Sequence, residues 1–426
     1  MKKVLALVLA LVMALGICSI SVADEVEPAT SLTLWTYPIG EWGNAEVVEG
    51  LMADFEAATG IKVTVEYLDY TSGDDQVNTA LEGKATPDLI MEGPERLVAN
   101  WGAKGFMVDL ADMWDDEDKA QVNTSCVAAG FNAAGACYEY PVVMTAHCMA
   151  INLDAFKAAG ADQYVDTKTH TWTTENFFKA CQALYDYYGT DVCALYCSGQ
   201  GGDQGTRAIV NNLYGGTFTN PEHTAYTADS AENIKALEEL YAQNGVAFDA
   251  SINGGEEITL FRQGIFKMAF CWNIAQQLNT ANAPAGQTND GEEIVFMAFP
   301  SQTGTAQLCG GIWGFGIFDN GDAAKIAAAK KFIEYFCDGE GTAPAVKAAS
   351  YFAARSVAGG KDLSDIWADN AIMNEYNCLM PMLGDYYQVT SNWAVARTEW
   401  WNMLQRIGAG GDVATEVATF CANANA

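Results

Sequence analysis

The stretch LTLWTYPIGEWG, at residues 32–43, changes character halfway along. Its first half, with Leu32 and Leu34 among threonines, is typical of a β-strand. Its second half contains a proline and two glycines, which favour a turn, and it carries the large rings of Tyr37 and Trp42. The stretch therefore predicts a strand that ends in a loop with aromatic side chains.

The residues that follow alternate between helix and strand patterns. Apolar side chains recur at helical spacing over residues 47–55, between a predicted N-cap at Asn44 and a stop at Gly60. The segment IKVTVEY, at residues 61–67, alternates apolar and polar side chains as a half-buried strand does. A second helix and a buried strand are predicted at about residues 75–82 and 87–91. This βαβαβ order predicts a parallel sheet covered by helices, and hence an α/β fold.

The loops after the three predicted strands are the first candidates for a binding site. They cover residues 37–43, 68–74 and 92–96. Open α/β sheets bind their ligands at the carboxyl ends of the strands, where these loops lie. The rings of the first loop are therefore expected close to a ligand.

The rest of the chain contains two long extended runs and several helical patterns. The extended runs cover residues 138–156 and 308–318, and Thr173 or Thr174 is a predicted helix cap. Further helices are predicted at residues 229–245, 254–282 and 323–341. The last hundred residues read as helical and rich in tryptophan, and the sequence contains no repeat and no low-complexity linker.

The N-terminus has the features of a secretory signal peptide. Two lysines precede an apolar run of fourteen residues, and the small residues SVA end at residue 23. We therefore expect export, with a signal peptide at residues 1–23 and a mature protein that is periplasmic, extracellular or on the cell surface. Cys18 leaves a lipid anchor open as an alternative, although Ile17 before it is larger than usual at such a site.

Length and charge narrow the class of partner. The chain has 426 residues, enough for two or three domains, and its formal net charge is −32. A surface this acidic repels phosphate backbones, so nucleic acid is not expected as a partner.

Cysteines and histidines indicate neither a metal site nor a cofactor. There are twelve cysteines, one of them within the predicted signal peptide, and no C-x-x-C motif. The three histidines lie far apart in the sequence, which disfavours a Cys/His zinc site. We expect most cysteines to be small buried side chains, while the sequence leaves any disulfide pairing open.

The sequence lacks the common catalytic motifs but is rich in aromatic residues. It contains no G-x-S-x-G, no H-E-x-x-H and no P-loop, and paired carboxylates carry no signal among 54 acidic residues. Eleven tryptophans are present, several at predicted strand ends or loops. A flat ring can stack on the C–H face of a sugar while neighbouring polar groups bind its hydroxyls. Sugar binding without catalysis is therefore favoured.

Taken in order along the chain, the motifs resemble a known family. They include LTLWTYPIGEW, TGIKVTVEYLD, ATPDLIM, KMAFCWNIA and SNWAVARTEWW. Together they resemble the family 1 extracellular solute-binding proteins of ABC importers. The resemblance covers most of the mature chain and implies a two-lobed α/β fold of the periplasmic-binding-protein type (type II), with the ligand in a cleft between the lobes.

The resemblance also implies how the chain divides between the lobes. The N-lobe would comprise residues 24–143 and 313–354, and the C-lobe residues 147–308 and 356–426. The chain would cross between them near residues 143–147, 308–313 and 352–356. The first two crossings coincide with the extended runs found from the sequence.

Site residues follow from the resemblance where motifs align. SNWAVART matches the segment that holds a sugar-stacking tryptophan, and the loop after PDLIM matches one with an acid–arginine pair. The first loop departs from the family pattern because Glu41 is its sole charged residue. Trp42 is expected to meet Trp393 across the cleft. The implied ligand-binding residues are Tyr37, Glu41, Trp42, Tyr70, Glu92, Glu95, Arg96, Trp272, Asn273, Trp313, Arg355 and Trp393.

The function expected from these observations is the capture of a carbohydrate, most simply an oligosaccharide, for delivery to a membrane ABC permease. We expect a monomer that does not catalyse a reaction and needs no cofactor or metal. One alternative keeps the fold but binds a polyamine, a cationic metabolite or a peptide, since rings and carboxylates also suit cations. The other is a secreted glycoside hydrolase or lectin.

Overall fold

The computed structural model describes residues 26–70, 72–199 and 204–426. The predicted signal peptide and Cys18 lie outside the described residues. The strands are β1 (Ser31–Thr36), β2 (Lys62–Tyr67), β3 (Leu89–Glu92), β4 (Tyr140–Ala146), β5 (Cys148–Asn152), β6 (Cys193–Tyr196), β7 (Val246–Asp249), β8 (Met268–Trp272), β9 (Ile294–Met297), β10 (Gly310–Ile317), β11 (Phe352–Ala353), β12 (Val357–Ala358) and β13 (Lys361–Asp362).

Helices separate most of these strands, as expected for an α/β fold. The α-helices are α1 (Ala45–Thr59), α2 (Gly73–Gly83), α3 (Pro94–Arg96), α4 (Asp116–Gln121), α5 (Thr124–Gly130), α6 (Leu153–Ala158), α7 (Thr174–Tyr188), α8 (Gln204–Tyr214), α9 (Ala231–Ala242), α10 (Gly254–Arg262), α11 (Ile274–Leu278), α12 (Ala323–Ile333), α13 (Thr342–Ala349), α14 (Ala371–Tyr376), α15 (Trp393–Gly408) and α16 (Val413–Ala424). Short 3₁₀ turns and two π-helical segments join some of them. No helix in the described ranges is long and apolar enough to cross a membrane.

The first lobe is built on a six-stranded sheet in the order β11-β4-β10-β3-β1-β2. β1 pairs in parallel with both β2 and β3, as the βαβαβ pattern predicts. β10 arrives from far along the chain and runs antiparallel between β3 and β4. The carboxyl ends of β1, β2 and β3 therefore lie at one edge of the sheet, where their loops meet.

The second lobe has a smaller sheet, β8-β5-β9, and the parallel pair β6-β7. The carbonyl oxygen of Val192, just before β6, accepts hydrogen bonds from the main-chain amides of Lys267 and Met268 at 2.7 and 3.2 Å. These bonds join the parallel pair to β8. Strand β8 ends at Trp272, and α11 starts two residues later, so this helix lies at the carboxyl end of β8.

Two connections run side by side between the large and the small sheet. His147 separates β4 of the large sheet from β5 of the small one, and its amide donates to the carbonyl of Cys309 at 2.9 Å. Gly310 is the register partner of Ala146, so two antiparallel segments pass between the lobes side by side. Adjacent segments of this kind are where hinges of two-lobed proteins lie.

The third connection differs from the expected one near residues 352–356. β11 pairs with β4 of the large sheet, and Val122 forms an isolated bridge with Arg355, so this segment stays with the first lobe. Leu383 instead pairs in parallel with Leu308 beside the other crossings. The sequence could not show this shift because the apolar pattern at β11 suits either position.

Several local predictions are confirmed, and one is wrong. Asn44 caps α1 by accepting from the amide of Glu46, Gly60 ends this helix with φ of 75°, and Thr173 caps α7. The helix predicted over residues 254–282 is interrupted by strand β8. The MAFCW segment is a strand because β5 offers its main chain hydrogen-bond partners there, a tertiary effect that overrides local pattern.

The cysteines in the described ranges form no disulfide. Nine of these eleven side chains are buried, while Cys271 is intermediate and Cys378 is exposed. The expectation that most act as small apolar side chains is confirmed.

Candidate functional site

A cleft cavity of about 330 Å³ lies between the two lobes. Gly40 and Glu41 line it from the loop after β1, and Ala275, Leu278 and Asn279 line it from α11 of the other lobe. Its remaining wall is the end of α13 and the residues that follow, Ala349 to Tyr351. The cavity thus lies at the carboxyl ends of strands from both lobes, as expected for this class of fold.

The loop after β1 approaches α13 very closely at Gly40. A Cβ atom at this position would lie 2.1 Å from the carbonyl oxygen of Ala349, and the φ angle is +54°. Because side chains are excluded on both counts, glycine is required here. This contact fixes the wall of the cleft cavity against the loop.

Two tyrosines and one arginine form the aromatic part of the site. The rings of Tyr37 and Tyr70 stack with centroids 5.1 Å apart. The guanidinium carbon of Arg96 lies 5.1 Å from the first centroid and 5.5 Å from the second, within cation–π range. Tyr37 is fully buried, whereas 52% of Tyr70 is exposed. Tyr70 is therefore the ring of this group that a ligand can reach.

Arg96 also links three carboxylates. Its Nε lies 2.7 Å from Asp74, and its Nη1 lies 2.9 Å from Glu92 and 4.0 Å from Glu95. Glu92 is buried at the end of β3, and burial raises its pKa while the charge of Arg96 lowers it. One turn of helix, α3, begins directly after this strand and places Glu95 and Arg96 beside Glu92. The acid–arginine pair inferred from the motif is thus part of a larger charged network.

Tyr386 connects this network to a later part of the chain. Its hydroxyl donates to Oε2 of Glu95 at 2.8 Å, and the tyrosine is buried. Glu139, just before β4, is also buried, and neither of its carboxylate oxygens has a hydrogen-bond partner in the described part of the chain. Burial is the largest cause that raises the pKa of Glu139, and the charges of Glu95 and Glu92 add to it. Glu139 therefore favours its protonated form in the folded protein.

We expect Glu139→Gln to flatten the pH dependence of stability. In the parent, the folded state holds the proton above the ordinary pKa of 4.5 while the unfolded chain releases it. The free energy of unfolding should then fall by about 1.4 kcal/mol per pH unit between the unfolded and folded pKa values. Urea unfolding at pH 5 and pH 8 measures this difference.

The variant should therefore gain stability relative to the parent at pH 8 but not at pH 5. Glu41→Gln, which removes a carboxylate from the exposed loop, is the matched control. Parallel pH profiles for the parent and Glu139→Gln would show that Glu139 is ionised in the folded state.

A second ring pair lies beside the cleft cavity. Trp313, on β10, stacks on Tyr351 with centroids 4.7 Å apart and an interplanar angle of 12°. Trp313 is partly exposed, and Tyr351 lines the cleft cavity. Of the sequence-derived candidates, Glu41 lines the cleft cavity and Trp313 stacks on a residue of its wall. The structure brings five others together in one cluster at the ends of β1, β2 and β3, namely Tyr37, Tyr70, Glu92, Glu95 and Arg96.

Trp42 is in the core, which corrects the expectation that it faces a ligand. It is fully buried, its Nε1 donates to the carbonyl of Ala345 at 3.1 Å, and its edge packs on Phe315 and Phe336. The turn Gly40–Gly43 directs this ring inward, beneath α13. The prediction that Trp42 and Trp393 face each other across the cleft is therefore wrong.

Trp272 and Trp393 are likewise buried. Trp272 donates from Nε1 to Gln277 at 2.8 Å and packs on Phe261. Trp393 begins α15 and packs on Phe218 and Tyr387. These contacts lie within the second lobe, so neither ring offers a face to the cleft cavity.

Asn273 and Arg355 have structural contacts of their own. The side chain of Asn273 caps α11 by accepting from the amide of Ala275 at 2.8 Å, close to the cleft cavity. Arg355 is buried and bonds Asp338, as well as the hydroxyl of Tyr140 at 3.2 Å. Because all these partners belong to the first lobe, Arg355 is placed away from the cleft, contrary to its inferred role.

Sequence reasoning missed four residues of the site. Asp74, Tyr351 and Tyr386 are held there by contacts with residues distant in sequence, and Glu139 is buried near Glu92 and Glu95. The signal that could have found Asp74 is its place in the first turn of α2, directly after the loop that follows β2. For Tyr351 and Tyr386 no strand precedes the residue, so strand-end reasoning does not reach them. In the described ranges, no group of three or more His, Cys, Asp or Glu side chains could hold a metal ion.

Several solved structures share this architecture. The chain is similar to the cyclic α-maltosyl-1,6-maltose binding protein of Arthrobacter globiformis, with a TM-score of 0.71 and 17% identity over 93% of this chain and 98% of the other. It is also similar to the ABC substrate-binding protein Lmo0181 of Listeria monocytogenes in complex with cycloalternan (TM-score 0.67, 17% identity, coverage 93% and 98%). An ABC transporter solute-binding protein of Agrobacterium radiobacter K84 in complex with ribitol has a TM-score of 0.64 and 19% identity, with coverage of 94% and 99%. These likenesses confirm the two-lobed fold.

The sequence itself matches a family model over residues 42–338, which is well over half of the chain. No curated protein sequence matches significantly. The matched range runs from the first loop of the cleft through both inter-lobe crossings near His147 and Cys309. The chain is therefore a member of the bacterial extracellular solute-binding protein family.

Proposed function

We propose that this protein captures a carbohydrate, most simply an oligosaccharide, in the cleft and delivers it to an ABC permease. The observation that carries the proposal is the pairing of accessible rings with a charged hydrogen-bonding network at one cleft. Tyr70 and the Trp313–Tyr351 pair offer apolar faces, and Arg96 with its carboxylates offers donors and acceptors beside them. Stacking plus hydroxyl hydrogen bonding is the chemistry that sugar recognition requires.

Closure of the lobes would complete the site. The cleft cavity is lined from both lobes, and the segments at His147 and Cys309 connect them. A ligand that contacts both lobes shifts the equilibrium towards the closed form by its differential affinity for the two states. The three similar proteins bind cyclic maltosyl-maltose, cycloalternan or ribitol. These ligands support a neutral polyhydroxylated ligand for this chain as well.

The experiment that tests the proposal is a titration of the purified mature protein with a panel of linear and cyclic oligosaccharides, sugar alcohols and polyamines. We expect at least one saccharide to raise the melting temperature and to reduce the radius of gyration in solution scattering. Binding of polyamines with no response to any saccharide would overturn the proposal. Sustained release of reducing ends would indicate a glycoside hydrolase instead.

The polyamine alternative has one observation in its favour. The network around Arg96 contains more carboxylates than cations, and Oε2 of the buried Glu92 has no hydrogen-bond partner in the described ranges. Carboxylates next to tyrosine rings suit an ammonium group. The same titration panel decides between the two classes of ligand, since spermidine is a cation and maltose is neutral.

Tyr70→Ala should weaken saccharide binding with little loss of stability. By analogy with base–aromatic stacking, losing one ring costs about 1–3 kcal/mol, or roughly ten- to hundredfold in Kd. Because 52% of Tyr70 is exposed, the melting temperature of the free protein should change by only a few degrees. Isothermal titration calorimetry measures the effect, and Tyr187→Ala, at a tyrosine 59% exposed on α7, is the control. Unchanged affinity in Tyr70→Ala would exclude this ring from the site.

A further inference from the structure

A second cavity, of about 350 Å³, lies beside the crossing segment and not in the cleft. We name it the hinge cavity. It is lined by the end of α8 and the turn after it, together with Ser301, Gln302, Thr303, Thr305, Gln307, Cys309, Asp385 and Tyr387. It shares no lining residue with the cleft cavity. Gln307 and Cys309, which lead into β10, form part of its wall. The hinge cavity therefore touches the main chain that connects the lobes.

The lining of the hinge cavity is polar but almost uncharged. Eight of its lining side chains end in an amide or an aliphatic hydroxyl, and Asp385 is the one charged residue among them. Oδ1 of Asp385 already lies 2.6 Å from Nε2 of His223. An ionic ligand would find little charge to pair with here, which favours a neutral molecule.

Some of these polar side chains form hydrogen bonds that stabilise the fold, and others are available to a ligand. Asn212 is bonded to the main chain of Gln307 in both directions, at 2.7 and 2.9 Å. By contrast, Oδ1 of Asn211 is buried without a partner in the described part of the chain, and the side-chain amides of Gln302 and Gln307 are exposed at the cavity. Each amide can both donate and accept, which matches the hydroxyl groups of a polyol.

Two rings complete the hinge cavity. Phe218 and Tyr387 are buried in its wall, with centroids 4.9 Å apart. Rings of this kind supply the apolar surface against which the C–H groups of a small sugar pack. The volume falls within the range of cavities that hold small ligands.

We propose that the hinge cavity is a second binding site, for a small neutral polyhydroxylated molecule such as a monosaccharide or sugar alcohol. Asn211, Gln302 and Gln307 bind its hydroxyls, and the two rings contact its carbon skeleton. Because Cys309 of the crossing segment lines the cavity and Gln307 lies two residues before it, a molecule bound here contacts the hinge directly. Its presence then alters the equilibrium between open and closed lobes if it fits one form better.

Saturation-transfer-difference NMR with glucose, ribitol and maltose as probes tests this inference. We expect transfer to glucose or ribitol in the parent protein and in Tyr70→Ala, whose cleft is impaired. The double variant Asn211→Ala/Gln307→Ala should bind that probe at least tenfold more weakly, and so should Thr217→Trp, which fills the cavity from its exposed rim. Thr419→Trp, at an exposed position of α16 outside both cavities, is the matched control and should bind as the parent does.

The outcomes separate this inference from the proposed cleft function. Binding lost in Tyr70→Ala but kept in both hinge-cavity variants would overturn the second site and leave cleft binding intact. No transfer to any of the three probes in Tyr70→Ala would overturn it as well. Circular dichroism of each variant confirms folding. Since Gln307 and Thr217 are exposed, the single Gln307→Ala substitution gives the same reading should the double variant misfold.

Discussion

Trp42→Ala is expected to lower the free energy of unfolding by about 3–5 kcal/mol, the usual cost of removing a large buried ring. The indole is fully buried and contacts three segments of the first lobe that are all distant from Trp42 in the sequence. It donates to Ala345 on α13 and packs edge-on against Phe315 of β10 and against Phe336. The substitution would leave a cavity at their junction and remove the side-chain hydrogen bond to the carbonyl of Ala345.

Chemical unfolding of the ligand-free protein measures this loss. Trp42→Phe should be intermediate, because it retains a ring but cannot donate to the carbonyl of Ala345. Tyr70→Ala, in the neighbouring loop, is the control and should stay close to the parent because the ring is half exposed. If Trp42→Ala unfolds at the parent's urea concentration yet loses ligand affinity, the ring belongs to the binding site after all.

Arg96→Met is expected to have the second large effect, up to about 3–5 kcal/mol of stability, because it leaves a buried carboxylate without its cation. Glu92 is 1% exposed and its Oε1 lies 2.9 Å from Nη1 of Arg96. Burial already raises the pKa of Glu92, and loss of the arginine charge raises it further. The folded variant then holds a proton that the unfolded chain releases above the ordinary pKa of 4.5, so its stability falls as the pH rises.

The loss in Arg96→Met should accordingly be larger at pH 8 than at pH 5, as measured by urea unfolding. The double variant Glu92→Gln/Arg96→Met should recover part of the stability, because it removes the unpaired charge as well. An equal loss at both pH values, or no recovery in the double variant, would show that Arg96 acts through packing on Tyr37 and Tyr70 and not through its charge on Glu92.

The local sequence pattern was enough to predict those helices and strands whose bounds depend on their own residues. Asn44 and Gly60 bound α1 because a side-chain cap and a positive φ are properties of single residues and their neighbours. The βαβαβ order led to the parallel β2-β1-β3 arrangement because the handedness and length of such connections leave few alternatives. The loop after β3 was identified as part of the site for the same reason, and Glu92, Glu95 and Arg96 do lie together there.

Pattern failed where a residue could pack in two directions. Trp42 follows a strand end, which suggests a ligand site, yet the turn Gly40–Gly43 places it under α13, some 300 residues away in sequence. The sequence predicts helix at β8 because its five apolar residues suit either structure, and the hydrogen bonds to β5 make it a strand. The position of the third connection near Leu383 depends on the pairing of Leu383 with Leu308, and the local sequence does not indicate this pairing.

The sequence by itself determined the fold class, the family and the three strand-end loops that meet at one edge of the first sheet, because these depend on short-range periodicity, capping and motif order. Only the tertiary structure decided which rings are accessible. Tyr351 lines the cleft cavity, Trp313 stacks on it and Tyr70 is half exposed, whereas Trp42, Trp272 and Trp393 are core residues. Burial in the core and contact with a sugar stabilise an aromatic side chain in the same way, by removing apolar surface from water. The same residue types therefore occur in both roles. Its role depends on which helix or strand of the folded chain covers it.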